Sequence, residues 1–267
     1  MSWGRDFGLE GVWGSSSTNV YAVGGYDGFG IALGKILHYD GNCWREVFST
    51  TEYQFTDVWG SSGSDVFAAT SRGPILHYDG TGWTPMDSGT ETMEGSCGVW
   101  GTSAHNVFAV SGETVWQYDG ISWQPMASVN ASSLRRLWGS GATDVFAVGA
   151  GHQTEAAIWH YDGSSWNFMP SDAEGMRWSV WGSSPNNVFV VGDASGNGLI
   201  SHYDGMAWES KPFTVTPTLQ GVWGSSAADV FAVGGGARSG ACCSGEGTIL
   251  RFNGSTWQIV MKEGQFE

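Results

Sequence analysis

The sequence predicts an all-β protein, a six-bladed β-propeller with four antiparallel strands per blade, and three observations carry that prediction. Trp-Gly recurs roughly every 40 residues, a period typical of repeated structural units. An Asp or Asn follows each copy and opens a short apolar segment such as Asp229–Val233. Each of these segments is followed later in the unit by a Tyr-Asp-Gly-x-x-Trp turn, which is Phe-Asn-Gly-x-x-Trp in the last copy. The six Trp-Gly copies begin at Trp13, Trp59, Trp100, Trp138, Trp181 and Trp223.

Each unit contains four short apolar segments, which we label A to D. Segment A ends at Trp-Gly, B follows the Asp or Asn, C precedes the Tyr-Asp-Gly turn, and D begins at the turn Trp. All four are rich in β-branched and aromatic residues and are bounded by Gly, Ser, Asn or Asp, which indicates strands. Segment B is apolar at consecutive positions, as in Val230–Val233, so both of its faces must be covered. Each unit is therefore predicted to form one sheet that packs between two neighbouring sheets.

The predicted blades fill nearly the whole chain, so we expect one domain without a linker. Their approximate bounds are 9–50, 51–91, 92–130, 131–172, 173–215 and 216–262.

The Tyr-Asp-Gly-x-x-Trp turn has residues suited to a tight connection between strands C and D. Its Asp can accept a hydrogen bond from a nearby backbone N–H, and its Gly can take a positive φ. The Tyr and Trp are then expected to form an aromatic pair across the hairpin.

Composition limits the partners. The net charge of −15 would repel a phosphate backbone, so we expect no nucleic acid partner. No apolar run has the length of a membrane helix, so we expect no membrane insertion. Four cysteines are too few for a disulfide scaffold. The absence of a signal-like N-terminus leaves a cytosolic protein or a removed signal, and we expect a secreted or cell-surface monomer.

Length variation is concentrated in the connections between B and C, all at one face of the predicted propeller. Such variation indicates binding loops, although drift at tolerant positions would produce it too. The first long loop, residues 24–35, offers Tyr26 and Phe29 as platforms for a sugar ring, beside Asp27. Arg72 and Arg238 lie in the connections of blades 2 and 6. The other long loops are 149–157, 192–199 and 234–248.

Segment A is uniformly apolar at the residue directly before Trp-Gly but differs between copies at the pair of residues preceding it. Arg135, Arg136, Arg177 and Trp178 gather there in blades 4 and 5, in a chain with only 11 basic residues. With A as the innermost strand, they predict a site for an anion or a sugar carboxylate near the channel mouth. The alternative is that these arginines pair with local acids such as Asp172 and Glu174.

Other polar features predict structure rather than chemistry. One repeated position of segment C carries His38, His77, His160 and His202, one per blade and so too far apart for a metal. Asp193-x-Ser195-x-Asn197-Gly198 begins like a calcium loop, but a polar turn suits it better. Cys242 and Cys243 could form a vicinal disulfide or remain thiols. No catalytic motif is present, and we expect no catalytic residues, metal or cofactor.

The repeat Val-Trp-Gly…Asp-Val-Phe-Ala-Val-Gly…Ile-Leu-His-Tyr-Asp-Gly-x-x-Trp resembles that of bacterial propeller lectins of the Photorhabdus fucose-lectin type. Its C–D turn also resembles the Asp-box of sialidases and the corresponding turns of kelch and WD40 blades. The resemblance implies that strand A is innermost and that sugars bind between blades or on a loop face. It departs from the lectins after Trp83, where Thr-Pro-Met replaces their second Trp.

These observations predict a non-catalytic ligand-binding propeller, lectin-like and directed at carbohydrate through the B–C face. A protein-interaction scaffold using the same face is the alternative, and a small hydrolase of sialidase-like architecture is the second alternative.

Overall fold

The computed structural model describes residues 7–28, 31–86, 98–152, 156–214, 216, 218–235 and 247–262, with the backbone alone at 27, 28 and 31. These residues form 24 β-strands and no helix. They build six antiparallel sheets, each of four strands consecutive in the sequence. The prediction of an all-β, six-bladed β-propeller is confirmed. No helix of the length and apolarity needed to cross a membrane occurs among the described residues.

The chain divides into two compact units, Met1–Val129 and Asn130–Glu267. The first unit contains blades 1 to 3. Blade 1 has β1 (Gly8–Ser16), β2 (Asn19–Gly28), β3 (Ile31–Tyr39) and β4 (Trp44–Thr50). Blade 2 has β5 (Phe55–Ser62), β6 (Asp65–Thr70), β7 (Leu76–Tyr78) and β8 (Trp83–Pro85). Blade 3 has β9 (Gly98–Ser103), β10 (Asn106–Ser111), β11 (Thr114–Tyr118) and β12 (Trp123–Ser128).

The second unit contains blades 4 to 6. Blade 4 has β13 (Ser133–Gly141), β14 (Asp144–Ala150), β15 (Ala156–Tyr161) and β16 (Trp166–Phe168). Blade 5 has β17 (Met176–Ser184), β18 (Asn187–Ala194), β19 (Asn197–Tyr203) and β20 (Trp208–Phe213). Blade 6 has β21 (Thr218–Ser226), β22 (Asp229–Gly235), β23 (Thr248–Phe252) and β24 (Trp257–Lys262).

The core of each unit lies between its blades. Tyr21 and Ile36 of blade 1 pack with Phe55 of blade 2, and Phe146 of blade 4 packs with Trp208 of blade 5. Strand A of each blade contacts strand A of the next within both units, so A is the inner strand there. The apolar run of strand B is explained by this arrangement, because both of its faces are covered.

The predicted C–D turn geometry is confirmed. In blade 4, Asp162 Oδ1 accepts the N–H groups of Ser164 and Ser165 at 2.8 and 2.9 Å. Gly163 takes a φ of 91°, and the Tyr161 hydroxyl donates to its carbonyl at 3.0 Å. The Tyr161 and Trp166 rings pair with centroids 5.4 Å apart. Corresponding bonds to Asp or Asn recur in the other five blades.

The predicted B–C loops are wrong in two blades. Most of residues 24–35 continue strands β2 and β3, which pair as far as Gly28 and Ile31. In blade 5, β18 and β19 leave only Ser195 and Gly196 between them. The extra residues lengthen the hairpin because strands B and C keep pairing where a loop was expected. The expected loop at 234–248 falls mostly outside the described residues.

Candidate functional site

A β-bulge interrupts strand A at the same position in blades 1, 2, 4, 5 and 6. One residue there has no partner in strand B, and a bulge of this kind redirects the side chain it carries. In blade 3 the position falls on Cys97, outside the described residues. The bulged residues are Glu10, Thr56, Arg135, Trp178 and Gln220. Each bulged residue lies three positions before the Trp of its Trp-Gly, and its identity differs between all five of these blades.

The bulges of blades 4 and 5 bring Arg135 and Trp178 together. The Arg135 guanidinium carbon lies 4.2 Å from the centroid of the Trp178 ring, a cation–π contact between adjacent inner strands. Trp178 Nε1 donates to Asp193 Oδ1 at 2.6 Å. The indole is therefore fixed on one face by a guanidinium and at its edge by a carboxylate.

Arg136, the next residue of β13, carries a second guanidinium. It pairs with Val148 of strand B, and its Nη1 donates to the Arg135 carbonyl at 3.1 Å. Both arginines are partly exposed. Two guanidiniums at one end of a blade favour a carboxylate ligand, because each can donate two parallel hydrogen bonds to it.

Arg177 directly precedes Trp178 in β17 and is fully buried at 0% exposure. Its Nη1 donates to the carbonyls of Glu174 and Gly175, both at 3.2 Å. Its Nη2 donates to the Ala173 carbonyl at 2.7 Å and to Ser171 Oγ at 3.2 Å. Burial lowers the pKa of Arg177 to about 10, against the opposing charges of Asp172 and Asp193, so it stays protonated at neutral pH. Its guanidinium serves the D–A loop before β17, mainly through backbone carbonyls.

A cleft of about 400 Å³ opens beside that loop. Ala156, Phe168 and Pro170 line one part of it, and residues 171–174 line the rest. The loop that Arg177 holds is therefore one wall of this cleft.

The remaining predicted residues belong to other blades. Tyr26 is half-buried in β2 opposite Leu33, and Arg72 is exposed in the turn after β6. Asp27 lies in β2 with its side chain undescribed. Phe29, Arg238, Cys242 and Cys243 lie outside the described residues. Cys43 is an exposed free thiol.

The four repeated histidines have the predicted structural role. Each Nε2 lies within hydrogen-bond distance of the Asp or Asn that opens strand B, as in His160 to Asp144 at 2.7 Å. Each ring also stacks on the aromatic residue of strand B, such as Phe146 at 4.5 Å. Gln117 and Arg251 occupy the same position in blades 3 and 6. Among the described residues, no three or more His, Cys, Asp or Glu side chains form a group that could hold a metal.

Sequence reasoning missed Asp193 as the partner of Trp178. Ser195 and Gly196, with φ of 50° and 79°, form the predicted polar turn, and the carboxylate of Asp193 is directed to the indole instead. A signal existed in the repeat, because Asp193 stands near the end of strand B at the position where blade 4 has Ala150. Its meaning depends on the bulge at Trp178, which the sequence pattern does not reveal.

No known protein family and no curated protein matches this sequence. Among solved structures, the chain resembles YCF48 bound to D1 peptide, with 13% identity, a TM-score of 0.65, and coverage of 97% of this chain and 82% of that one. It resembles a chain of the nidogen/laminin complex at 13% identity and TM-score 0.59, covering 80% and 83%. The GH74 enzyme of Niastella koreensis has 12% identity and TM-score 0.69, covering 94% and 46%. At these identities the likeness concerns the fold alone, and the chain is a β-propeller repeat protein.

Proposed function

We propose that this chain is a non-catalytic binding propeller that recognises a segment of a protein partner at the inner-strand bulges of blades 4 and 5. The stack of Arg135 on Trp178 is the observation that carries the proposal. Arg and Trp are among the residue types most enriched at the positions that dominate the energy of a protein interface. The similar solved structures include YCF48 bound to D1 peptide and a chain of the nidogen/laminin complex. Both were solved with a peptide or protein partner, which supports this choice of ligand class.

The chemistry of the site favours a segment that carries a carboxylate. Arg135 and Arg136 supply the guanidiniums, and Trp178 supplies an apolar surface beside Arg135. Because the whole chain carries a net charge of −15, an acidic ligand is repelled elsewhere and attracted only locally. Charge then contributes to where the segment docks as well as to how tightly it binds.

Binding is favoured over catalysis because the four repeated histidines already have structural partners within their blades. The four repeated histidines are already bonded to Asp or Asn and stacked on aromatic rings. At 12% identity, the resemblance to the GH74 enzyme concerns the fold alone and does not argue for catalysis.

A peptide array that compares acidic, neutral and basic dodecapeptides tests the proposal. We expect acidic peptides to bind and Trp178→Ala to weaken them by about 30-fold, as truncation of a 2 kcal/mol interface residue does. Arg45→Ala is the matched control, since Arg45 is exposed in β4 near the C–D turn of blade 1. Binding by basic peptides alone, or equal binding by Trp178→Ala, would contradict the proposal.

Carbohydrate is a second candidate ligand, favoured by the partly exposed Tyr26 on the β2–β3 hairpin and by the lectin-like repeat. A glycan array tests it, with loss of binding expected for Tyr26→Ala at an unchanged melting temperature. A blank array across broad glycan classes would remove this candidate. Export to the cell surface stays a prediction.

A further inference from the structure

We infer that Arg177 is a positioning residue: it holds the D–A loop of blade 5 against Asp193 and thereby orients Trp178. The importance of this orientation for a ligand rests on the proposed function, whereas the orientation itself is a property of the fold.

The position of Arg177 is apolar in every other blade except blade 3, where the sequence has Ser96. Phe55, Leu134 and Leu219 occupy it in blades 2, 4 and 6, and all three are fully buried. Placing a guanidinium there removes it from water, which is unfavourable unless its donors find partners. A leucine would satisfy the blade without that cost, so stability of the sheet does not account for the arginine.

The guanidinium holds the loop 171–175 at four points. It reaches three successive carbonyls, those of Ala173, Glu174 and Gly175, and the Ser171 hydroxyl. Arg177 is well suited to this role because its donors are arranged in a rigid planar fork. The same loop lines the cleft of about 400 Å³, so the four bonds hold one wall of that cleft.

The loop in turn contacts the residue that fixes Trp178. Gly175 has a φ of 106°, and a Cβ on it would stand 2.1 Å from the Asp193 carbonyl oxygen, so the loop lies directly against Asp193. The Asp193 carboxylate accepts the Trp178 N–H and interacts electrostatically with Arg177. Arg177 therefore acts on the indole through Gly175 and Asp193.

Arg177→Leu tests this inference, because leucine is what blades 4 and 6 have at the position. We expect an unchanged or raised melting temperature, faster amide exchange at residues 171–175, and a displaced indole N–H resonance of Trp178, assigned with Trp178→Phe. The acidic peptide selected on the array should bind roughly tenfold more weakly. Arg177→Lys keeps the charge without the fork and should give an intermediate result.

Unchanged exchange at 171–175 together with an unmoved indole resonance would overturn the inference. So would a large loss of melting temperature in both Arg177→Leu and Arg177→Met, since Arg177 would then serve the fold itself. The exchange and resonance measurements need no ligand. A failure of the proposed function would therefore leave them interpretable, and Trp178→Ala reports on that function separately.

Discussion

The indole of Trp138 lies on Gly182 of the next blade, so closely that a Cβ on Gly182 would stand 2.5 Å from Trp138 Cη2. The same contact joins Trp13 to Gly60 and Trp181 to Gly224. A Trp-Gly dipeptide in the middle blade of a unit therefore contributes to two blade–blade contacts. Its Trp packs on the Gly of the following blade, and its Gly leaves room for the Trp of the preceding blade. This explains why the two residues recur together.

Gly182→Ala should destabilise the protein by about 1–3 kcal/mol, because the methyl group would displace the indole from a packed junction. Urea denaturation measures the change. Gly141→Ala is the matched control, since a Cβ there meets nothing within 4 Å. If the two variants unfold at the same urea concentration, the Trp-Gly contact does not limit the packing.

His160→Leu should cost about 1–3 kcal/mol, because it leaves the partly buried Asp144 carboxylate without its imidazole partner. His160→Gln should cost much less, since Gln117 makes the corresponding bond to Asn106 at 2.9 Å in blade 3. Thermal and urea unfolding of both variants checks the order. Equal loss in both would mean that ring stacking on Phe146, and not the hydrogen bond, is the stabilising contact.

Scaffold features were predictable because they depend on neighbours in the sequence. The Asp162 turn, the four strands of each blade and the histidine position repeat in register, so the pattern alone reveals them. The hairpin at Tyr26 was not predictable, since nothing local distinguishes a long loop from strands that keep pairing. The site was predicted in part: Arg135, Arg136, Arg177 and Trp178 stood out by composition. The contact of Trp178 with Asp193 depends on a bulge, and the sequence pattern does not encode which side chain a bulge redirects.

Asp79→Asn should make the protein less sensitive to acid. Hydrogen bonds from the Thr81 hydroxyl and from the N–H groups of Thr81 and Gly82 lower the pKa of Asp79 from 3.8 to about 2. A carboxyl with a lowered folded-state pKa stabilises the fold fully above pH 3.8, and this contribution is lost as the pH falls towards 2. Asparagine keeps the backbone bonds, as Asn253 does in blade 6, but does not titrate.

The measurement is the free energy of unfolding of both proteins at pH 7, 4 and 2. The difference between wild type and Asp79→Asn should shrink between pH 4 and pH 2. Asn253→Asp is the reverse control and should gain acid sensitivity. A difference that is independent of pH would contradict the assignment.

Ser195→Asn should stabilise the β18–β19 hairpin by about 1 kcal/mol, because a serine in the left-handed region is strained and Asn-Gly suits a two-residue turn. Ser195 has a φ of 50° and Gly196 a φ of 79°. Ser195→Val should have the opposite effect, since a β-branched residue disfavours positive φ. Melting temperatures that fall for both variants would show that the Ser195 side chain itself stabilises the turn.

Arg135→Lys separates the two roles of the guanidinium at the candidate site. Lysine keeps the positive charge but loses the planar group that lies 4.2 Å from the Trp178 centroid. If stacking orients the ligand-binding surface, affinity for the selected acidic peptide should fall by about tenfold, while its dependence on salt stays the same. Arg135→Gln removes charge as well and should weaken both affinity and salt dependence. Arg45→Lys should change neither the affinity nor its dependence on salt, because Arg45 lies in β4, away from the bulged strand β1 of its own blade. Full binding by Arg135→Lys would show that charge alone attracts the peptide, and the stack would then be a packing contact of the inner strands.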